Sequence, residues 1–357
     1  MNILVTGGAG FIGSHIAEAY ARQGHRVVVL DNLSRARLLH ASPRTAEFTW
    51  NVLAKTPNVS GVRGDVRDAA LVADLVRNAD AVVHTAGQTA VTTSLTDPVT
   101  DFETNVVGTF RVLEAARGTG RPIPLVFTST NKVYGENVNA LGVRATGDRY
   151  VFTSGHEAGV PETLSVDHSK HTPYGASKLA ADLYVQEYGR LYGLPTAVFR
   201  MSCICGPRQF GVEDQGWVAH FVICALLGRP ITIYGDGKQV RDALFVDDLV
   251  AAFLIAEQRL PEIAGQAFNI GGGPENTLSL LELIDRIAVL NGRRPSIEFG
   301  DWRVGDQRWY VSDIRKFNRL TGWSPRVGIA EGVGRLHGWL MPSPVEGEAA
   351  PMRAAAQ

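Results

Sequence analysis

The sequence predicts an α/β fold in which a doubly wound parallel sheet is followed by a smaller, mixed α/β domain near the C-terminus. Two observations support this fold class. In the first third of the chain, short β-branched runs alternate with amphipathic helical segments, which is the spacing of a parallel sheet with crossover helices. After Gly206, Gly and Pro interrupt shorter elements, which indicates a second and smaller unit.

The predicted strands are short apolar runs bounded by Gly, Asp or Pro, at residues 3–5, 27–30, 81–84, 125–129 and 196–200. The predicted helices are amphipathic or apolar segments at residues 12–23, 69–77, 102–117, 174–192, 218–227 and 245–257. Either Asp247 or Asp248 is expected to cap the last of these helices.

The predicted domain boundaries follow from this pattern. Residues 1–200 form the domain with the parallel sheet, and part of 240–270 returns to that sheet. Residues 201–340 mainly form a substrate-binding cap, and residues 342–357 are expected to be a disordered tail. The polar stretch 136–172 has weak periodicity and is interpreted as a long functional or mobile loop.

Composition narrows the function classes. The 35 basic and 36 acidic residues give a net charge of -1, so neither nucleic acid nor an anionic membrane is expected as a partner. The three cysteines form no CxxC pair, so no disulfide framework and no metal site are predicted. The longest apolar stretch is shorter than the about 20 residues of a membrane span, and no leader precedes the first strand. A cytoplasmic protein is therefore expected.

A glycine-rich turn follows directly on the first predicted strand. Gly7, Gly8, Gly10 and Gly13 allow a tight turn, and they leave room for a pyrophosphate against the N-terminus of the next helix. Such a turn also occurs for structural reasons alone. Here, however, Asp31 ends the second strand, where a carboxylate can bind the ribose hydroxyls of a dinucleotide. These features predict a Rossmann-type dinucleotide site.

The charge of Asp31 favours NAD over NADP, because a carboxylate repels a 2′-phosphate. Arg35 and Arg37 lie close enough in the sequence to weaken this preference, but they are interpreted as parts of a solvated loop. Asp65 follows the third strand and is expected beside the adenine.

Tyr174 and Lys178 are four residues apart on a predicted helix, so both side chains lie on one helical face. A phenol with a pKa near 10 becomes a base at neutral pH only if the phenolate is stabilised, and a nearby ammonium group can do so. The preceding strand ends in Thr128, Ser129 and Thr130, and hydroxyl groups at this edge of a parallel sheet lie where ligands bind. The pattern predicts proton transfer coupled to hydride transfer.

With these motifs, residues 1–340 resemble the extended short-chain dehydrogenase/reductase family. The resemblance implies a Rossmann domain with a C-terminal nucleotide-sugar domain, and a catalytic set of Thr130, Tyr174 and Lys178. Members that are 4,6-dehydratases carry an Asp-Glu pair directly after this Thr, whereas this sequence has Asn131 and Lys132. An epimerase needs no such pair.

Within that family, the chain is similar to the subgroup of CDP-tyvelose (CDP-paratose) 2-epimerases. The similarity is carried by residues 84–94, 130–135, 202–203, 208–211 and 213–217, and by the insertion 136–172. Cys205 departs from the subgroup, which is expected to have Tyr there.

The resemblance also implies the remaining site residues. The residues expected to bind NAD are Gly7, Gly10, Phe11, Ile12, Gly13, Asp31, Asn32, Ser34, Arg35, Asp65, Val66, Thr85, Ala86, Gln88, Asn105, Tyr174 and Lys178. Those expected to bind a nucleotide-diphosphate sugar are Thr130, Asn131, Lys132, Cys203, Gln209, Arg241, Arg303 and Asp306. A structural Arg–Asp pair is the alternative interpretation of Arg241, Arg303 and Asp306.

The predicted function is an NAD-dependent epimerase that inverts C2 of a CDP-hexose through a 2-keto sugar. The alternatives are a UDP-hexose 4-epimerase, a related 4,6-dehydratase, and an NAD-sensing binding protein without activity. The resemblance implies a homodimer or a higher homo-oligomer, in which the helices predicted at 102–117 and 174–192 pack against a second copy.

Overall fold

The structure is a computed structural model that describes residues 1–153 and 155–341; the tail predicted at 342–357 lies outside the described residues. The strands β1 to β15 are, in chain order, Asn2–Thr6, Arg26–Asp31, Val59–Arg63, Ala81–His84, Leu125–Thr130, Val143–Thr146, Arg149–Phe152, Thr196–Met201, Cys203–Cys205, Ile231–Tyr234, Val240–Phe245, Gln266–Ile270, Thr277–Ser279, Ile297–Gly300 and Trp309–Tyr310. The helices α1 to α13 are Phe11–Arg22, Arg35–Leu38, Pro43–Ala54, Ala69–Arg77, Val91–Thr96, Pro98–Phe102, Gly108–Gly118, Pro173–Tyr192, Trp217–Leu227, Val246–Ile263, Leu280–Asn291, Arg315–Thr321 and Ile329–Leu340.

The main sheet has seven strands in the order β12-β8-β5-β4-β1-β2-β3, and all its neighbours run parallel. Its central strands are buried on both faces, with all four residues of β4 and all six of β5 in the interior. This is why they appear in the sequence as continuous apolar runs instead of alternating patterns. The observed sheet confirms the predicted fold class.

The chain order of the strands reverses at β1, which has β2 on one side and β4 on the other. The loops that follow β1 and β4 therefore leave the sheet on opposite sides, and a crevice opens between them at the carboxyl ends of the strands. This crevice contains the glycine-rich turn.

The second half of the chain contributes both to the main sheet and to smaller sheets. Strand β12 pairs with β8, with Gln266 opposite Ala197, so the chain returns to the main sheet. Elsewhere β10 pairs with β14, while β11 pairs with β9, β13 and β15. The proposed division into domains at residue 200 stays a prediction.

The structure corrects three local predictions. The single helix expected at 102–117 is interrupted by a π-helical turn at Glu103–Val107, which places Asn105 in contact with Asp101 and Ser177. The N-cap of α10 is Phe245, and no side chain caps this helix, so neither Asp247 nor Asp248 has the predicted role. The Asp248 carboxylate instead accepts the N–H groups of residues 326 and 327. The stretch 136–172 contains the hairpin β6–β7, so it is not one long loop.

Within the described residues, no helix is long and apolar enough to cross a membrane. The same residues contain no group of three or more side chains arranged to hold a metal ion. The cytoplasmic location stays a prediction.

Candidate active site

The glycine-rich turn forms one wall of a cleft at the carboxyl ends of the strands. Gly7 has a φ of +68°, and a Cβ atom there would lie 2.5 Å from the backbone nitrogen of Ala86. A Cβ atom at Gly13 would lie 2.4 Å from the carbonyl oxygen of Gly7. Helix α1 begins after Gly10 without a side-chain cap, so its first N–H groups remain available to a phosphate. The cleft fits the diphosphate of a dinucleotide.

Asp31 forms part of the cleft floor at the end of β2. Its carboxylate accepts the N–H groups of Ala9, at 2.9 Å, and Leu33, at 2.7 Å, which hold it against the turn. Burial raises the pKa of this carboxyl group, and the backbone hydrogen bonds oppose that rise. Because an ionised carboxylate has about four acceptor positions, Asp31 keeps capacity for ribose hydroxyls.

The cleft brings together most of the residues expected to bind NAD. Those that line it are Gly7, Gly10, Phe11, Ile12, Gly13, Asp31, Asn32, Ser34, Arg35, Val66, Thr85, Ala86, Gln88, Tyr174 and Lys178. Sequence reasoning missed other lining residues, among them Leu38, Leu39, Thr89 and Gln215. No residue type or spacing in the sequence assigns these four residues a cofactor role, and a turn or a helix end brings each of them to the cleft.

Two residues expected at the cofactor do not line the cleft. The Asp65 carboxylate is bound by the guanidinium group of Arg67, at 2.8 Å, and this hydrogen bond is the main reason that its pKa falls to about 2. Asn105 lies behind the cleft wall, where its amide group bonds to Gln88, Asp101 and Ser177. It can position Gln88, which does line the cleft.

The interpretation of Arg35 as part of a solvated loop is wrong. Its guanidinium group donates to the carbonyl oxygen of Phe210, at 3.1 Å, and to the side-chain oxygen of Gln215, at 2.6 Å. Burial lowers the pKa of Arg35 to about 10. Because its partners lie far away in the sequence, local pattern could not reveal them. Arg37 is exposed, as expected.

Tyr174 lines the cleft, and Thr130, at the end of β5, lies beside its phenol without lining the cleft. Thr172 caps helix α8 by accepting the N–H of Gly175, and Pro173 takes the first helical position. Tyr174 therefore sits in the first turn of α8. Ser129 instead donates to Asp182 at 2.7 Å, which leaves Thr130 as the hydroxyl group at the phenol.

Burial dominates the protonation of both ionisable groups in this set. It raises the pKa of Tyr174 to about 12, against a smaller lowering by the neighbouring Thr130 hydroxyl group. It lowers the pKa of Lys178 to about 7, against the attraction of Asp182 and Asp101. The Lys178 ammonium group donates to the carbonyl oxygen of Thr128, at 2.6 Å. The expected lowering of the Tyr174 pKa by Lys178 is not seen, because this bond directs the ammonium group to the strand.

A second cavity adjoins the end of β5 and is lined by most of the residues expected to bind the sugar nucleotide. Those that line it are Asn131, Lys132, Cys203, Arg241, Arg303 and Asp306. Gln209 does not line it, since this side chain is buried and donates to the carbonyl oxygen of Ile204. We call this space the nucleotide cavity.

The nucleotide cavity also contains acidic and aromatic residues that sequence reasoning did not assign. Arg303 lies 3.7 Å from the ring centre of Tyr234 and pairs with Glu213 and Asp214. Arg241 pairs with Asp306 at 2.9 Å. Arg241 and Asp306 therefore form the structural pair of the alternative interpretation, and both residues also line the cavity.

The chain matches known proteins over nearly its whole length. The model of the NAD dependent epimerase/dehydratase family matches residues 3–271. The chain belongs to this family. It is 39% identical to the CDP-paratose 2-epimerase of Salmonella typhi, over 95% of this chain and 99% of that protein. It is 35% identical to the UDP-glucose 4-epimerase of Mycolicibacterium smegmatis, over 94% and 97% respectively.

Among solved structures, the UDP-glucuronic acid 4-epimerase of Bacillus cereus, in complex with UDP-glucuronic acid and NAD, superposes with a TM-score of 0.80. It is 27% identical and covers 95% of this chain and 98% of its own. Membership of the epimerase/dehydratase family confirms the predicted family, the predicted enzyme class and NAD as the cofactor. The alternative of an NAD-sensing protein without activity is wrong.

In this epimerase/dehydratase family member, Gly13→Ala is expected to weaken NAD binding by roughly tenfold or more, because the added methyl group overlaps backbone atoms of the turn. Titration of cofactor-stripped protein with NAD measures the change. Gly118→Ala is the control, since a Cβ atom there meets nothing within 4 Å. Equal NAD affinities for the two variants would contradict the assignment of the cleft.

Proposed function

We propose that this protein is an NAD-dependent epimerase that inverts C2 of a CDP-hexose by transient oxidation and re-reduction. The observation that carries the proposal is the end of β5. There, the Thr130 hydroxyl group lies beside the phenol of Tyr174, and the next two residues are Asn131 and Lys132. The similarity to a CDP-paratose 2-epimerase favours C2 and the cytidine nucleotide.

The residues around the reacting carbon would move one proton. When bound in the cleft, NAD supplies the acceptor of a hydride and then its donor. The C2 hydroxyl group gives its proton to the Tyr174 oxygen, either directly or through Thr130, while the C2–H bond breaks as a hydride. Tyr174 returns the proton to the carbonyl oxygen when the hydride is delivered to the opposite face of the 2-keto sugar.

For Tyr174 to accept this proton, its surroundings must stabilise the phenolate. Since burial raises the pKa of the phenol to about 12, the phenolate needs compensating stabilisation. In this chain the Thr130 hydroxyl group lies beside the phenol and can donate a hydrogen bond to the phenolate, whereas Lys178, one turn further along α8, donates to the carbonyl oxygen of Thr128. Oxidised NAD, when bound, would supply a positive charge to the same site.

A 4,6-dehydratase is disfavoured by the same strand end. Elimination of water needs an acid and a base beyond the reacting carbinol, and Asn131 cannot exchange a proton in that role. A UDP-hexose 4-epimerase remains the second candidate, because a UDP-glucose 4-epimerase matches this chain over 94% of its length.

The deciding experiment incubates the enzyme with CDP-, UDP-, GDP- and dTDP-hexoses and identifies the inverted carbon by NMR. We expect inversion at C2 of a CDP-hexose. In deuterium oxide, no deuterium should enter at that carbon, because the same hydride returns. Inversion at C4 of a UDP-hexose would overturn the proposal in favour of the second candidate. Deuterium at C2 would instead indicate enolisation.

We also propose that the enzyme forms a homodimer through α6 and α8. These helices expose apolar side chains at Val99, Phe102, Leu183, Leu191 and Tyr192, which water would otherwise surround. Leu183→Glu is expected to shift the protein from dimer to monomer in analytical ultracentrifugation. Val289→Glu on α11, where Val289 is 82% exposed, is the control and should leave the mass unchanged.

A further inference from the structure

Lys132 differs from the other cations that line the nucleotide cavity. Arg303 pairs with Glu213 and Asp214, and Arg241 pairs with Asp306. Lys132 makes no salt bridge within residues 1–153 and 155–341. Its ammonium group donates instead to a neutral acceptor, the carbonyl oxygen of Gly305, at 2.9 Å.

The position of Lys132 ties it to the reacting groups. Its backbone N–H donates to the Thr130 hydroxyl oxygen at 3.3 Å. Its carbonyl oxygen would lie 2.9 Å from a Cβ atom at Gly175, the residue after Tyr174. The backbone of Lys132 thus packs directly against the first turn of α8, while its side chain lines the nucleotide cavity.

The Lys132 ammonium group is suited to an anionic ligand. It has three N–H donors, of which the Gly305 carbonyl takes one. Burial lowers the pKa of Lys132 to about 8, because the cation has lost water and Arg241 repels it, although Asp306 attracts it. An anion in the cavity would remove this penalty.

The chemistry of a sugar nucleotide indicates which anion this is. The β-phosphate is joined through oxygen to C1, so only C1 and that oxygen separate C2 from phosphorus. C4 lies on the far side of the ring from the same phosphate. The backbone of Lys132 contacts the catalytic hydroxyl group, so its ammonium group lies within one side-chain length of that hydroxyl and can bind the β-phosphate when C2 faces Tyr174, but not when C4 does.

We infer that Lys132 binds the β-phosphate of the substrate and so selects C2, instead of C4, as the carbon presented to Tyr174 and Thr130. The inference rests on the proposed function, to which it adds the residue that determines the site of inversion. Arg241 and Arg303 remain with the rest of the nucleoside diphosphate.

The test compares the wild-type enzyme with Lys132→Met, which removes the charge, and Lys132→Arg, which keeps it. For each we would measure kcat and KM with a CDP-hexose, the inverted carbon by NMR, and the affinities for CDP and CMP by calorimetry. Lys132→Met should lower kcat/KM for C2 inversion by roughly 10- to 100-fold, the usual loss when a hydrogen bond to a charged group is removed. CDP should also bind this variant more weakly, whereas CMP, which lacks the β-phosphate, should bind it as it binds the wild type. Lys132→Arg should restore most of the lost kcat/KM.

The possible outcomes separate this inference from the proposed function. If the wild type inverts C2 and Lys132→Met does so equally fast, the inference is overturned and the proposed function stands. If CMP affinity falls as much as CDP affinity, Lys132 merely holds the Gly305 loop, and the inference is again overturned. If the wild type inverts C4, or no carbon at all, both fail. Retained CMP and NAD binding shows that Lys132→Met is folded.

Discussion

Tyr174→Phe is expected to lower kcat by about a thousandfold, which lies within the usual range for the loss of a general acid–base group. The change removes one oxygen atom and leaves the ring, so helix α8 and the cleft should keep their shape. NAD should remain bound, because the glycine-rich turn and Asp31 do not depend on the phenol. Steady-state kinetics together with the NAD content of the purified protein measure the two effects separately.

The matched control for this prediction is Tyr184→Phe on the same helix. Tyr184 is 46% exposed and lies outside the cleft, so its hydroxyl group should not affect turnover. If Tyr174→Phe kept more than about a tenth of the wild-type kcat, another group would have to carry the proton.

Asp182→Ala is expected to lower the free energy of unfolding by about 3–5 kcal/mol, because it leaves a buried guanidinium group without its counter-charge. Asp182 is completely buried and binds Arg200 through two hydrogen bonds, at 2.9 and 3.0 Å. It also accepts hydrogen bonds from Ser129 and Gln186, which would lose their partner. Urea unfolding followed by circular dichroism gives the difference.

Glu187→Ala provides the control for Asp182→Ala. Glu187 pairs with Arg190 on the same helix, but both side chains are about half exposed. Such a surface pair contributes about 0–1 kcal/mol, so this variant should unfold close to the wild type. Equal losses in the two variants would mean that the bond between Asp182 and Arg200 is as solvent-screened as the surface pair.

Local pattern accounted for the features that depend on neighbouring residues. Five of the seven strands of the main sheet were predictable because they are short apolar runs bounded by Gly, Asp or Pro, of which the central ones are buried on both faces. The cofactor cleft was predictable because a phosphate-binding turn needs glycines at short spacings after a strand. Gly7 and Gly13 show the reason, since a Cβ atom at either position would overlap the backbone.

Side-chain partners that lie outside the matched motif were not predictable in this way. Arg35 bonds to residues 210 and 215, and nothing near Arg35 in the sequence indicates them. Asp65 was assigned to the adenine by its place after a strand, yet Arg67 binds its carboxylate. Gln209 belongs to a segment that resembles a substrate-binding motif, but it folds back onto Ile204. In each case the side chain binds a protein partner that competes with the expected ligand, and matching a motif does not take that partner into account.

By itself, the sequence determined the fold class, the dinucleotide turn and the candidate set of Thr130, Tyr174 and Lys178, because these are written in short-range spacing. The 38 glycines are an example, since those of the turn have a steric purpose. Only the tertiary structure decided the surroundings of Tyr174 and Lys178 and placed a neutral carbonyl oxygen, that of Gly305, at the Lys132 ammonium group. The physical reason is that desolvation and charge pairing depend on which distant groups pack around a side chain.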